Sequence, residues 1–531
     1  MSQDAGSLNQ GEYEPSQAED ILASGEETWW KIPGSPPDPK RFSRSCEAFF
    51  IEEKGIAGLQ RVLETVSLHQ DEWALSMAGA SLILRYTTRY DIVEVLLRNV
   101  LRMQPDNVAA HSFLAHLLVI KGDLAGGCAK FAELMARHAE QRTEIGEFVS
   151  MSLLEVGYPA EALNVAMSLL NGGDVSASLL NNAGCALERL NRSREALGCY
   201  EKALQISPDR QEIVFGYACT LIKAGEFERG WPVYFERALQ ISQQQGWLRE
   251  LPRLRPGVSL AGKRVLLFQE QGLGDTLQFI RHAPSLVERG AHVTVHVPKS
   301  LVRLLRASFS TLTVVEPDAI SPTDDFDYVA PIPDLPYITG VDSVQKIPVN
   351  VPYLHTDAAD VEKMSESLPH RRPRIGLVWA GERRSRSEFA LADMRRSIDF
   401  KELAAALLPV EASLISLQFG PSRDGLRGWN GQEICDPMDE VTDLADTAAI
   451  MHTLDLVISV DTSPAHLAGA LGRPVWLISR WDACWRWGDS GQRSPWYPTM
   501  RLFRSQERSF GPVLKEVGKA LNLWVDTWQA R

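Results

Sequence analysis

The sequence contains no run of about 18 apolar residues, the least that crosses a bilayer as a helix. Its first 20 residues, "MSQDAGSLNQGEYEPSQAED", lack the basic-then-apolar order of an export signal. Neither a membrane span nor export is expected. Basic residues are in deficit, with 55 Lys and Arg against 68 Asp and Glu and a net charge of −13. The summed field therefore repels polyanions, which excludes sequence-independent nucleic-acid binding and requires any phosphate to be gripped locally. Cysteine is scarce: seven residues, an odd number, none in C-x-x-C spacing. That pattern excludes a disulfide framework and a zinc site, so no metal is expected and a reducing, cytoplasmic setting is.

What is present is ordinary globular material, 44% hydrophobic and 23% charged, in a 531-residue chain too long for one core; two to four domains are expected. Residues 1–40 carry eight acids, two lysines and five prolines, too little apolar surface to offset ordering, and predict a disordered tail. A period of about 34 residues follows. "LLNNAGCALERLNRSREALGCYEKALQISPDR" sets Gly184, Leu187, Ala196, Tyr200, Ala203 and Pro208 at the offsets small, large, small, aromatic, small and Pro. Ala218, Leu221, Gly225, Phe227, Gly230 and Tyr234 repeat the pattern one period on, while Gly122 and Gly157 mark the same turn upstream. This resembles the tetratricopeptide repeat. Starts at 74, 108, 143, 177 and 211 give five units, with a capping helix pair over about 41–73, so that repeats fill 41–250. Such a stack packs small residues where antiparallel helices approach, leaves a concave groove, and by itself predicts no more than a protein-binding scaffold.

After the Pro- and Arg-rich "GWLRELPRLRPGVSLAGK" the pattern changes to short apolar strands alternating with helices, which predicts parallel sheets covered on both faces. The strands are "RVLLF", "HVTVHV", "LTVVE" and "YVAPI", then, past the break at "LPHRRP", "RIGLVW", "SLISL", "LVISV" and "PVWLI". Two facing sheets are expected, in halves 258–368 and 372–531.

Ligands of open α/β sheets sit beyond the carboxyl ends of strands. One such loop is "QGLG" followed by Asp275. Gly272 and Gly274 let backbone approach a ligand, and Asp275 suits either an N-cap, with Gln278 completing a capping box, or a base that takes a proton from a hydroxyl. The third glycine of a dinucleotide fingerprint is missing, since Leu277 stands there. A second loop, "SVDTSPAHLAGALGRPVW", ends a strand at Asp461 and Thr462, offers Ser463 as N-cap before Pro464, and carries His466 one turn in. Helix-start amides favour a phosphate and Asp461 suits sugar hydroxyls; a plain structural cap is the alternative. Between the loops, "WAGERRSRSEFALADMRRSI" clusters Arg383, Arg384, Arg386, Arg395 and Arg396, fit for a diphosphate or for a solvated loop. "DDFDY", with Asp325 and Asp327, reads as a loop rather than a D-x-D metal site. The tryptophan run "WDACWRWGDSGQRSPWY" reads as core packing ahead of a stacking wall.

"GLGDTLQ", "IGLVWAG", "RRSI", "SVDTSPAHLAGALGRPVW" and "SPWYPTMRLFR" together give residues 263–510 a resemblance to glycosyltransferase family 9, the ADP-heptose lipopolysaccharide heptosyltransferases, and to bacterial proteins that join tetratricopeptide repeats to such a domain. The resemblance implies a GT-B fold, two Rossmann-like halves about a cleft, and metal-independent inverting transfer from a nucleotide sugar, with no separate cofactor. It implies that Asp275 is the general base. It assigns Asp461, Thr462 and Ser463 to the donor sugar and phosphate, and one of Arg383, Arg384, Arg395 and Arg396 to the leaving diphosphate. The repeat half departs from the lipopolysaccharide enzymes and, by analogy with other repeat-bearing GT-B transferases, implies a protein acceptor such as flagellin held in the repeat groove. Two other readings are open: a non-catalytic repeat adaptor with a degenerate nucleotide-sugar domain, and a scaffold without ligand.

Overall fold

The computed structural model describes residues 36–51, 55–241, 243–382 and 387–530. The chain forms two compact units, one of Met1–Ala139 with Arg384–Ala390, the other of Glu140–Arg383 with Leu391–Arg531. The tail expected over 1–40 lies outside the described residues up to position 35, and a helix Pro39–Ile51 starts near its end.

The first unit is helical: Pro39–Ile51, Gly55–Leu68, then the pairs Trp73–Tyr86 with Tyr90–Met103 and Val108–Ile120 with Leu124–Arg137. Asn107 and Asp123 cap their helices by accepting from the amides of Ala110 and Gly126. Gly122, at φ 93°, supplies the left-handed residue that turns one helix into the next.

In the second unit three more pairs follow, Arg142–Val156 with Pro159–Asn171, Ala177–Arg189 with Ser193–Ile206, and Gln211–Lys223 with Phe227–Phe235. The left-handed turn recurs at Gly157, Asn191 and Gly225. Small residues are needed where the repeats stack. A Cβ on Gly184 would come within 2.9 Å of the Tyr200 ring and one on Gly216 within 2.8 Å of its hydroxyl, so the buried Tyr200 is wedged between successive repeats.

The α/β part holds two wholly parallel sheets. The first contains β1 (Arg264–Phe268), β2 (His292–His296), β3 (Thr313–Val315) and β4 (Tyr328–Pro331) in the order β3-β2-β1-β4. The second contains β5 (Arg374–Val378), β6 (Ser413–Ser416), β7 (Ile434–Cys435), β8 (Leu456–Val460), β9 (Val475–Ser479) and β10 (Met500–Arg504) in the order β10-β9-β8-β5-β6-β7. The fold is thus a helical repeat region followed by the two-sheet GT-B arrangement. β7 and β10 were not expected from sequence; one has two residues, and the other carries Arg501 and Arg504 among its apolar positions.

In each sheet the strand order reverses about its founding strand: β1 lies between β2 and β4, and β5 between β6 and β8. Crossovers diverge there and open a crevice at the carboxyl ends. The loop after β1 and the loop after β8 occupy those two places. The interdomain stretch also joins the first sheet, since the Leu254 amide donates to the Val329 carbonyl and the Val329 amide to that of Pro252, covering the β4 edge.

One apolar core runs from the last repeat into both halves. Ile222, Phe227, Trp231 and Tyr234 belong to the same buried cluster as Leu277, Phe279, Trp487, Trp496 and Tyr497. Trp231 is its centre, with edge-on contacts to Phe279, Trp485 and Trp496 at centroid separations of 6.0, 6.2 and 6.3 Å. The tryptophan run therefore packs.

Candidate active site

Asp275 is not the N-cap that local spacing suggests. The helix is Leu273–Phe279, Gly272 holds the cap position without a side-chain bond, and Asp275 is in the first turn. The reason is tertiary. Its carboxylate is bound by the Arg486 guanidinium, an ion pair across 211 residues of sequence, and is not left to accept from its own helix. Gln278 is fully buried and completes no capping box. Nor does one helix continue to residue 289: it passes through a 3-10 turn, Ile280–His282, and restarts at Ala283, because Pro284 has no amide to donate.

At the second loop Thr462, not Ser463, is the N-cap; its backbone is extended at φ −153° and ψ 171°, and it makes no side-chain cap bond. The helix Ser463–Ala470 then begins with Ser463 and Pro464. Proline's fixed φ and missing donor are tolerated at this position of the first turn, where the amides have no intrahelical acceptor. Asp461 through Pro464 remain half-buried.

The two loops meet. The helix starting at Leu273 packs on the helix starting at Ser463, and a Cβ on Gly274 would stand 3.0 Å from the His466 ring. His466 is buried, stacks on Trp487 at 5.3 Å, and shares a hydrogen bond of 3.0 Å between Nδ1 and the Tyr497 hydroxyl. Burial, and then the nearby Arg486 charge, push its pKa down to about 3, against the pull of Asp275. The imidazole is a neutral spacer between the loops.

Of the candidate arginines, Arg383, Arg384 and Arg386 lie outside the described residues. Arg395 is buried and engaged: it pairs with the fully buried Asp482 at 3.0 Å and donates to the Glu155 carbonyl at the end of a repeat helix. Burial pulls its pKa down to about 10. Arg396 pairs with Asp393 at 2.8 Å, donates to the Glu382 carbonyl, and packs on Gly381. Asp325 and Asp327 bind Lys263 and Arg264 at the amino end of β1, the edge opposite Asp275. Among the described residues no group of three His, Cys, Asp or Glu is arranged for a metal ion. Nor is any described helix long and apolar enough to cross a membrane.

Two cations beside the loops were not picked out from the sequence. Arg480 binds Asp482; burial opposes its charge, which Asp482 and then Asp461 support. Arg486 stacks over Trp485 at 4.2 Å and reaches Asp275. The only local signal was an arginine between two tryptophans in "WRW", a context that buries a cation. Behind the first loop, Arg237, just past the last repeat helix, binds Glu270 and Asp334, each at 2.7 Å, with all three side chains at most 2% exposed. Gln271 donates to the Tyr234 hydroxyl at 2.8 Å. The repeat thus holds the segment that leads into Asp275.

A cleft of about 590 Å³ opens beside this site, bounded by the turns at Asn191 and Ala224 of the last two repeats and by the 485–496 segment, with Lys223, Trp485, Arg486 and Trp496 in its wall.

These features define a helical repeat region followed by a GT-B domain whose loops after β1 and β8 pack against each other. Residues 177–210 match the tetratricopeptide repeat, and residues 435–479 match glycosyltransferase family 9 (heptosyltransferase). Protein FlbA of Caulobacter vibrioides is 26% identical over 436 residues, 70% of this chain and 72% of that protein. Among solved structures, E. coli ADP-heptose lps heptosyltransferase II is similar over 50% of this chain and 99% of its own, at 16% identity and a TM-score of 0.35. Yeast Tom70 is similar over 37% of this chain, which spans 42% of Tom70, at 14% identity and a TM-score of 0.31. The family match supports a glycosyltransferase of the family 9 type.

Proposed function

We propose that the protein is an inverting, metal-independent glycosyltransferase that moves a sugar from a nucleotide-sugar donor to an acceptor protein presented by the repeats. In the step envisaged, Asp275 takes the proton of the acceptor hydroxyl and that oxygen bonds to the anomeric carbon. The bond from that carbon to the diphosphate breaks, and the nucleoside diphosphate leaves with the electron pair. Asp461 and Thr462 bind donor hydroxyls and phosphate, and the helix start at Ser463 with neighbouring arginines stabilises the departing charge.

The observation that carries this reading is the contact of Gly274 with His466, since it brings the carboxylate of one sheet's crevice beside the helix start of the other's. A protein acceptor is supported by the cleft that the last two repeats share with the 485–496 segment. Flagellin is one acceptor to test. The test pairs Asp275→Asn with donor turnover and intact-mass measurement of surface and flagellar proteins in cells with and without the protein. Removing the base is expected to lower transfer about 10²- to 10⁴-fold. Undiminished transfer sinks the assignment, and donor binding without any turnover in the wild type favours the adaptor reading.

A further inference from the structure

A guanidinium has five N–H donors in a planar fork. Arg486 employs few of them well. One nitrogen holds the Asp275 carboxylate, another donates to the Cys484 sulfur at 3.0 Å, and Nε, shielded from solvent, has no acceptor among the described residues. Burial raises the Cys484 thiol's pKa, so it is a neutral, weak acceptor. A buried polar donor without a partner costs about 1–3 kcal/mol, so its retention calls for an explanation. The side chain is only 13% exposed, yet the residue lines the cleft of about 590 Å³. Its charge is supported by Asp275 first and, more weakly, by Asp461 of the second loop.

Resting on the transferase reading above, we infer that Arg486 is a substrate-binding residue that exchanges anions: the donor's diphosphate takes the guanidinium from Asp275, and the released carboxylate is then free to accept the acceptor's proton. Several features favour this. A diphosphate offers the oxygens that the under-used fork lacks, and Arg grips phosphate bidentately. The carboxylate held by Arg486 is masked as a base until that pair opens. The exchange therefore makes donor binding precede proton transfer, and it keeps the base covered while the donor site is empty. Of the arginine cluster read from the sequence, Arg395 is already engaged with Asp482 and Glu155 and is not free to grip the diphosphate.

The sign of one substitution tests this. Pyrophosphate, ADP, UDP and GDP are titrated calorimetrically into the full-length wild type, Asp275→Asn, Arg486→Gln and the double variant, with thermal unfolding to check folding. If Asp275 competes with the ligand, Asp275→Asn binds the probe more tightly, by at least about fivefold, a modest coupling between charged partners. Arg486→Gln binds more weakly by a similar factor, and the double variant shows no gain over Arg486→Gln alone. Should Arg486→Gln fail to fold, Arg486→Lys keeps the charge without the fork and is expected to bind between the two extremes. Wild type that binds a probe while Asp275→Asn shows no gain overturns the exchange alone. Wild type that binds none of the four overturns the transferase reading, and the exchange falls with it.

Discussion

Gly274 lies so close to the His466 ring that a Cβ at that position would stand 3.0 Å from Cδ2 and 3.5 Å from Nε2. In an exposed helix, Gly→Ala stabilises by about 1 kcal/mol. Here the ring cannot retreat, because Trp487 covers its face and Tyr497 holds Nδ1. Gly274→Ala is therefore expected to forgo that gain and to lose about 1 kcal/mol, the low end of overpacking, while donor turnover falls as the two loops are pushed apart. Urea unfolding and nucleotide release measure the two effects. A variant as stable as helix propensity predicts, with full turnover, means that the contact does not set the spacing.

Two buried imidazoles give the second unit an acid-side weakness. His466 and His282 are both pushed down to about 3 by burial, with the neighbouring charges of Arg486 and Arg281 respectively adding to the effect. The folded pKa is below the unfolded value of about 6.5, so the stability each ring brings is complete above 6.5 and is lost as pH falls from there toward 3. Each contributes a slope of about 1.4 kcal/mol per pH unit below 6.5. Urea midpoints between pH 7.5 and 5.5 should fall more steeply for wild type than for His466→Gln, by the slope of one ring. Parallel curves show that His466 titrates normally in the folded state.

Much of the fold was legible because it depends on neighbours in sequence. The first helices of the five repeat pairs begin at Trp73, Val108, Arg142, Ala177 and Gln211, within one residue of the starts set by the small-residue pattern. Asn191 hides the turn signal of its repeat by replacing glycine, and Asn is the side chain that best tolerates the left-handed region. All eight strands read as apolar runs are present, whereas the two-residue β7 falls below any periodic signal. The site was legible only in outline. Glycine spacing marked the loop at Asp275, but the cap reading failed because a distant guanidinium outcompetes local amides. Arg486 itself was invisible, since nothing in "WRW" reveals that its partner lies 211 positions away.

Arg395 and Arg486 should respond in opposite ways. Arg395 clamps Asp482, which retains Arg480 as a second partner, so Arg395→Met is expected to cost on the order of 1–3 kcal/mol and to leave pyrophosphate affinity unchanged. Arg486→Gln should reduce that affinity. Chemical unfolding and calorimetry on both variants separate the roles, and weakened pyrophosphate binding in a folded Arg395→Met would return that residue to the donor site.

Arg237 tests whether the last repeat is part of the enzyme or only attached to it. Its guanidinium satisfies two carboxylates that have no access to water, Glu270 at the exit of β1 and Asp334 after β4. Asp334 keeps Arg253 at 2.7 Å when Arg237 is lost, whereas among the described residues Glu270 is left with the Gln240 amide at 3.1 Å. An uncompensated buried charge costs about 3–5 kcal/mol, so Arg237→Met should destabilise the fold on the order of 3 kcal/mol. Glu270→Gln removes the stranded charge, and the double variant should regain part of that loss. The functional effect has a separate signature. Glu270 is five residues before Asp275, and Gln271 is held by Tyr234 of the same repeat, so a loosened segment should lower donor turnover at saturation while leaving nucleoside diphosphate affinity within about twofold, as expected when only transition-state alignment is lost. Equal losses in affinity and turnover would instead mean that Arg237 merely holds the domain together.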